Sequence, residues 1–220
     1  MSTPMSTPMS TATRTEVRSS HLRSYRLDGV RTALVPEQAV LLAGDHVTVS
    51  VRVGAGQVLE IVEPGGTVAY AMRGGSARWD VVVEVEKGGR LTWLGEPFVV
   101  AEGADVARSL RVDVATDACV TLRETLVLGR TGEGPGRLVA ATDVRRAGSP
   151  VLVEELDAAL GLGRHRVVDQ VLELGAFDAG SARSSATATM TLESGDRLTR
   201  WLGSATHESP LGQSSSPRAE

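Results

Sequence analysis

Valines at positions 47, 49, 51 and 53 alternate with polar residues, a period of two that turns one face of an extended chain to a core and the other to water. The same alternation returns at 58–62, 67–71, 80–86, 90–94, 109–114 and 119–128, with Gly, Asp or Pro between most of the runs. Further strands are expected at 137–144, 150–156, 186–192 and 197–202. The mixed apolar stretch 25–42 predicts an edge strand and a turn around Pro36. Helical periodicity is weak. Its best candidate, 155–162, is short and ends at glycines, and 167–174 fits strand or helix equally. The expected fold class is therefore all-β.

The strands also repeat. VRVGAGQVLEIVEP (51–64), VEVEKGGRLTWLGEP (83–97) and VDVATDACVTLRET (112–125) each carry two alternating valines, a turn, an apolar strand and an acid. Glu63 and Glu124 coincide without a gap, and Glu96 matches after a one-residue shift. LESGDRLTRWLG (192–203) echoes the second copy as a fourth. A spacing of about thirty residues lies in the range of solenoid repeats, whose stacked units bury a continuous core and bring equivalent positions together. The expected architecture is a stacked-sheet, β-helix-like one with one or two short helices. A plain antiparallel sandwich of hairpins would produce similar repeats. In TLRETLVLGRTGEGPG (121–136), Glu124 sits among leucines before the chain breaks into glycines.

Length and charge narrow the setting. The 220 residues suit one domain. MSTP occurs twice in a Ser/Thr-rich start, so 1–20 is expected to be a disordered leader, 21–207 the β domain and 208–220 a flexible tail. A mitochondrial presequence has little support, with only Arg14 and Arg18 basic in that segment. The net charge of -4, with cations scattered, argues against nucleic acid. No apolar run approaches the roughly 20 residues of a membrane span, and the N-terminus lacks a secretory apolar region. The expected location is cytoplasmic. Cys119 is the single cysteine, which excludes an internal disulfide and a CxxC site. Aromatic residues are few, so the core is expected to be aliphatic.

Three function classes fit the acids. Paired carboxylates serve glycoside hydrolysis, although sugar grooves usually offer aromatic platforms, which are scarce here. Oxygen ligands alone suit cations held weakly, as transit requires. His21, His46, His165 and His207 show no HxH or HxxxH spacing, and no tight transition-metal cage is signalled. A purely structural binding module is the third class, since edge-strand glutamates also deter aggregation. Cys119 is expected to be a small buried hydrophobe, and His165, between Arg164 and Arg166, an exposed surface residue. Gly129, Gly132, Gly134 and Gly136 lack the following Lys-Ser/Thr and helix of a phosphate loop and predict a turn. No GxSxG elbow or Ser/His/Asp set is present, and no catalytic residue is assigned.

TLRETLVLGRTGEG (121–134), WLGEPFVVAEGADVARS (93–109) and VEPGGTVAYAMRGG (62–75) resemble the urease accessory protein UreD (UreH) family, its actinobacterial branch most. YRLDGVRTALVPEQAVLLAGD (25–45) and HRVVDQVLELGAF (165–177) resemble the same family, in the same order. The resemblance implies a β-rich nickel-delivery scaffold without catalytic turnover. It implies apo-urease as one partner and UreF, which docks the GTPase UreG, as another. It further implies a tunnel carrying nickel(II) in transit, with no tightly bound cofactor. By motif the route residues are Glu96, Glu102 and Glu124, and Glu63 joins them through the repeat. Glu124→Gln or Glu96→Gln is expected to leave folding intact and to lower nickel loading of urease.

Overall fold

In the computed structural model, which describes residues 14–37, 41–175 and 186–212, the alternating stretches are wound into coils. The chain opens with β1 (Glu16–Ser19), β2 (Leu22–Arg26) and β3 (Arg31–Pro36). The first coil is β4 (His46–Val53), β5 (Val58–Val62) and β6 (Thr67–Ala69). The second is β7 (Ala77–Val85), β8 (Arg90–Leu94) and β9 (Phe98–Val100). The third is β10 (Asp105–Val114) followed by the long β11 (Cys119–Leu128). β12 (Arg137–Arg146) begins another turn before the chain reverses into β13 (Ser149–Asp157). Helix α1 (Ala158–Gly161), β14 (Val167–Leu174), β15 (Ala188–Thr191), β16 (Arg197–Gly203) and helical turns at Thr206–Glu208 and Pro210–Gly212 follow.

Parallel pairing distinguishes this arrangement from a sandwich of hairpins. β4, β7, β10 and β12 stack in parallel on one side, and β3, β5, β8 and β11 on the other. β6 and β9 stack beside them, and β9 pairs the end of β11. Parallel neighbours need a crossover, which each coil supplies by crossing to the opposite sheet. Val51 stands opposite Val83, and Val83 opposite Val112, so the sequence repeat is a register of stacked rungs. The fold is a β-solenoid. Antiparallel strands extend its sheets: β1 and β13 on one, β14, β16 and β15 on the other, where β2 also closes the far edge.

The space between the sheets is filled by inward rows such as Val47, Val49, Val51 and Val53 against Leu59, Ile61, Leu91 and Val120. Each such buried side chain contributes about 1.5–3 kcal/mol. Several expectations are refined. Residues 167–174 are strand, because β14 pairs β11 and β16 along its length. The helix is confined to α1, where the Asp157 side chain accepts from the Ala159 N–H, and 155–157 belong to β13. The fourth copy is not a rung: β16 runs antiparallel between β14 and β15, and the likeness reflects a shared turn and strand. Glu16–Ser19, inside the segment expected to be a leader, pair with β4, and Ser209, in the expected tail, is buried. The remainder of both segments lies outside the described residues, as do 176 and 177. Among the described residues no helix is long and apolar enough to cross a membrane.

Candidate functional site

Two residues beyond the paired level of Ile61, Trp93 and Leu122, successive rungs carry Glu63, Gly95 and Glu124. Glu63 keeps the inward phase of Leu59 and Ile61, and Glu124 that of Leu122 and Leu126. Gly95 between them leaves the space a side chain would take: a Cβ there would stand 2.9 Å from the Arg123 carbonyl oxygen. Glu96 is one residue out of phase. Glu96 lies past the end of β8 and is exposed, and its backbone N–H, not its carboxylate, meets Glu63 at 2.9 Å.

Glu124 is held from two elements, β10 and β14. Arg108 Nε and Nη2 donate to its Oε1 at 3.0 and 2.5 Å, and Gln170 Nε2 donates to Oε2 at 3.0 Å. Arg108 occupies a core position of β10, in phase with Val106 and Leu110, and its guanidinium lies 4.9 Å from the centre of the Phe98 ring. Gln170 Oε1 accepts from Arg200 Nε at 2.9 Å, and Arg200 forks onto Glu154 at 2.8 and 2.5 Å. Glu124, Gln170 and Arg200 are cross-strand neighbours on β11, β14 and β16. A polar seam thus crosses the strands along the solenoid interior, from Glu63 through Arg108–Glu124 and Gln170 to Arg200–Glu154.

A cavity of about 40 Å³ opens on this seam, lined by Glu63, Trp79, Trp93, Glu96, Arg108 and Glu124 among others. Such a volume admits about one or two waters. Trp93 Nε1 donates to Glu63 at 2.8 Å, while the buried indole N–H of Trp79 has no partner among the described residues. Burial pushes the Glu63 carboxyl up, against the opposing pull of the Glu96 N–H, the Trp93 N–H and the Arg108 charge. At Glu154 the hydrogen-bonded Arg200 guanidinium outweighs partial burial and pulls the carboxyl down.

The sign at Glu63 makes a prediction. Its folded pKa lies above the ordinary 4.5, so its contribution to stability is complete at lower pH and is lost as pH rises through the folded value. The unfolding free energy of the protein relative to Glu63→Gln is expected to fall as pH is raised from about 4 to about 7. Urea titrations at several pH values check this, and a difference that rises with pH contradicts it.

The structure therefore brings Glu63, Glu96 and Glu124 to one cavity but not Glu102. Glu102 is exposed in the turn after β9, where its Oε2 accepts from the Gly134 N–H at 3.1 Å. That contact belongs to the glycine turn, in which Gly129 and Gly132 have positive φ and Arg130 holds the Glu133 carboxyl down to about 2. Cys119 and His165 are half-buried and stand outside the cavity lining. Among the described residues no group of three or more His, Cys, Asp or Glu could hold a metal ion.

Arg108, Gln170, Arg200 and Glu154 were not singled out in the sequence. A signal existed for Arg108. In VARSLRV it alternates in phase with Val106, Leu110 and Val112, as Glu124 does with its leucines, but the expected strand began at 109. Two further buried acids also lacked a signal. Asp169 accepts from Arg123 at 3.0 and 2.8 Å, from Thr125 at 3.1 Å and from Ser209 at 2.5 Å. Asp196 accepts from Arg146 at 2.8 and 3.2 Å and from the Gly175 N–H at 2.7 Å. These two sit outside the seam and tie chain segments together.

A buried ion pair is seldom a net source of stability, because desolvation offsets its attraction and an apolar replacement is often neutral or better. Two inter-sheet pairs joined by an amide are thus not explained by stability alone. The model of the UreD urease accessory protein family matches residues 23–207. The chain is 45% identical over 156 residues to a Streptomyces griseus protein named urease accessory protein UreD 1, covering 67% of this chain and 61% of that protein. It is 37% identical over 164 residues to the UreD of Streptomyces avermitilis, covering 69% and 65%, and 30% identical over 154 residues to that of Azorhizobium caulinodans, covering 67% and 57%. The matched regions span less than two thirds of the length of these relatives. With the family's model matched along nearly all of the described solenoid, the chain belongs to the UreD urease accessory protein family.

Proposed function

We propose that this chain serves the maturation of urease as a cytoplasmic, non-catalytic scaffold that passes nickel(II) toward the urease active site. In this reading it bridges apo-urease and the UreF–UreG complex, and the metal is cargo with no resident cofactor. The observation that carries the reading is the interior seam, in which Glu63, Glu124 and Glu154 lie along the solenoid with two arginines as their counter-ions. Carboxylates of this kind replace part of a metal's water shell without caging it. Glu96, exposed at the cavity, stands where a cation would leave or enter solvent. Glu102 lies apart from the seam and would act, if on the route, outside the solenoid interior.

Carbohydrate hydrolysis is disfavoured by size. Pockets for small organic ligands run to about 300–1,000 Å³; the cavity at the paired acids holds about 40 Å³, and a roomier one of about 660 Å³ beside Gly129, Arg166 and His207 has no carboxylate in its lining. The test is co-purification of the tagged chain from its host with metal analysis of the urease recovered. Nickel-loaded urease together with the UreF and UreG partners is the expected result. Recovery of none of these partners contradicts the scaffold, and full nickel content in urease from cells lacking the chain contradicts the delivery role.

A further inference from the structure

At rest both oxygens of Glu124 are engaged. Arg108 gives two N–H groups to Oε1, Gln170 takes Oε2, and the guanidinium is packed 5.9 Å from the Trp79 ring centre and 4.9 Å from that of Phe98. Both partners of the pair are mostly buried, with about an eighth of each side chain exposed (12% and 13%). A cation that takes both oxygens of this carboxylate must therefore displace the guanidinium from Oε1. We infer that Arg108 is a displaceable counter-ion that reserves Glu124 for multivalent cations. The inference rests on the reading of the seam as a cation route.

Charge decides the exchange. A monovalent ion replaces like charge with like and forfeits two charge-assisted hydrogen bonds and two ring contacts. A dication forfeits the same contacts but brings a second charge, which counts most where the surroundings screen least. The displaced guanidinium has a second anchor in Glu63, which lines the same cavity, is bonded by neutral donors only and lies within the field of Arg108. Arg108 thereby serves as a specificity-determining residue. It holds the interior electrically balanced when no cargo is present and yields only to a charge larger than its own.

Equilibrium dialysis of the full chain with nickel(II), with and without sodium chloride, tests this. Arg108→Gln is expected to bind nickel about tenfold more tightly than the wild type, because a competing charge is gone, and to become sensitive to competition by sodium. Arg108→Lys, which keeps the charge, is expected to stay close to wild type. A folded Arg108→Gln that binds no tighter overturns the inference. Should that variant fail to fold, zinc(II) is titrated into the wild type and into Trp79→Phe. An emission change carried by Trp79 supports release of the guanidinium from its ring, and bound zinc without such a change overturns it. Glu124→Gln separates the two levels of the proposal. If it binds nickel as the wild type does, the cation route itself fails. If it loses binding while Arg108→Gln gains none, only the counter-ion role fails.

Discussion

Asp169→Ala is expected to lower the unfolding free energy by about 3–5 kcal/mol, the loss found when one partner of a buried ion pair is removed. Asp169 is fully buried, and the Arg123 side chain that forks onto it is 17% exposed. Without the carboxylate, Arg123 keeps its charge and loses both acceptors, while the Thr125 and Ser209 hydroxyls each lose one. Ser209 precedes the Pro210–Gly212 turn, so the substitution also frees the end of the described chain from the sheet. For a domain of this size the thermal midpoint should fall by roughly 10 °C. Urea unfolding of Asp169→Ala and of the double variant Arg123→Met with Asp169→Leu distinguishes the causes. The double variant is expected to be the more stable, since it leaves no charge buried alone. A single variant within about 1 kcal/mol of wild type would show that the pair is not the clamp its geometry describes.

Loss of Glu124 is expected to reduce nickel loading of urease on the order of tenfold, the low end of what removal of a metal-orienting contact costs. From sequence, Glu124→Gln was expected to leave folding untouched. The structure corrects this, because Arg108 and Gln170 both donate to the carboxylate. A glutamine offers one acceptor where two oxygens are used and leaves Arg108 without its counter-ion, so the single variant loses stability as well. Pairing Glu124→Gln with Arg108→Gln removes both charges and isolates the transfer role. The measurement is nickel per urease active site and urease activity in cells carrying the double variant, with thermal unfolding as the control. Wild-type urease activity with a folded double variant would falsify passage at Glu124.

What was legible in the chain follows from locality. A period of two marks a strand wherever one face is buried, and β11 was predicted at its observed bounds, 119–128. The repeat carried the register as well, since coils of nearly equal length stack Val51, Val83 and Val112 in line. It also placed Glu63 and Glu124 at one level. The one-residue offset of Glu96 was visible too, but its consequence was not: the residue is exposed at the cavity and meets Glu63 through its backbone N–H.

The amino-acid sequence by itself thus determined the strands, the stacking period and an acid in a core phase. The tertiary structure decided what those acids touch. Arg108 and Glu124 are 16 residues apart on opposite sheets, and Arg123 and Asp169 are 46 apart on adjacent strands. Hydrogen bonding between side chains depends on which rungs face one another and on how the antiparallel β14 and β16 close the sheet. No periodicity within either segment encodes that. A charged residue at a core position announces that a partner must exist, because burying a charge alone costs too much. Only the folded chain names the partner, and here the partners join separate acids into one seam.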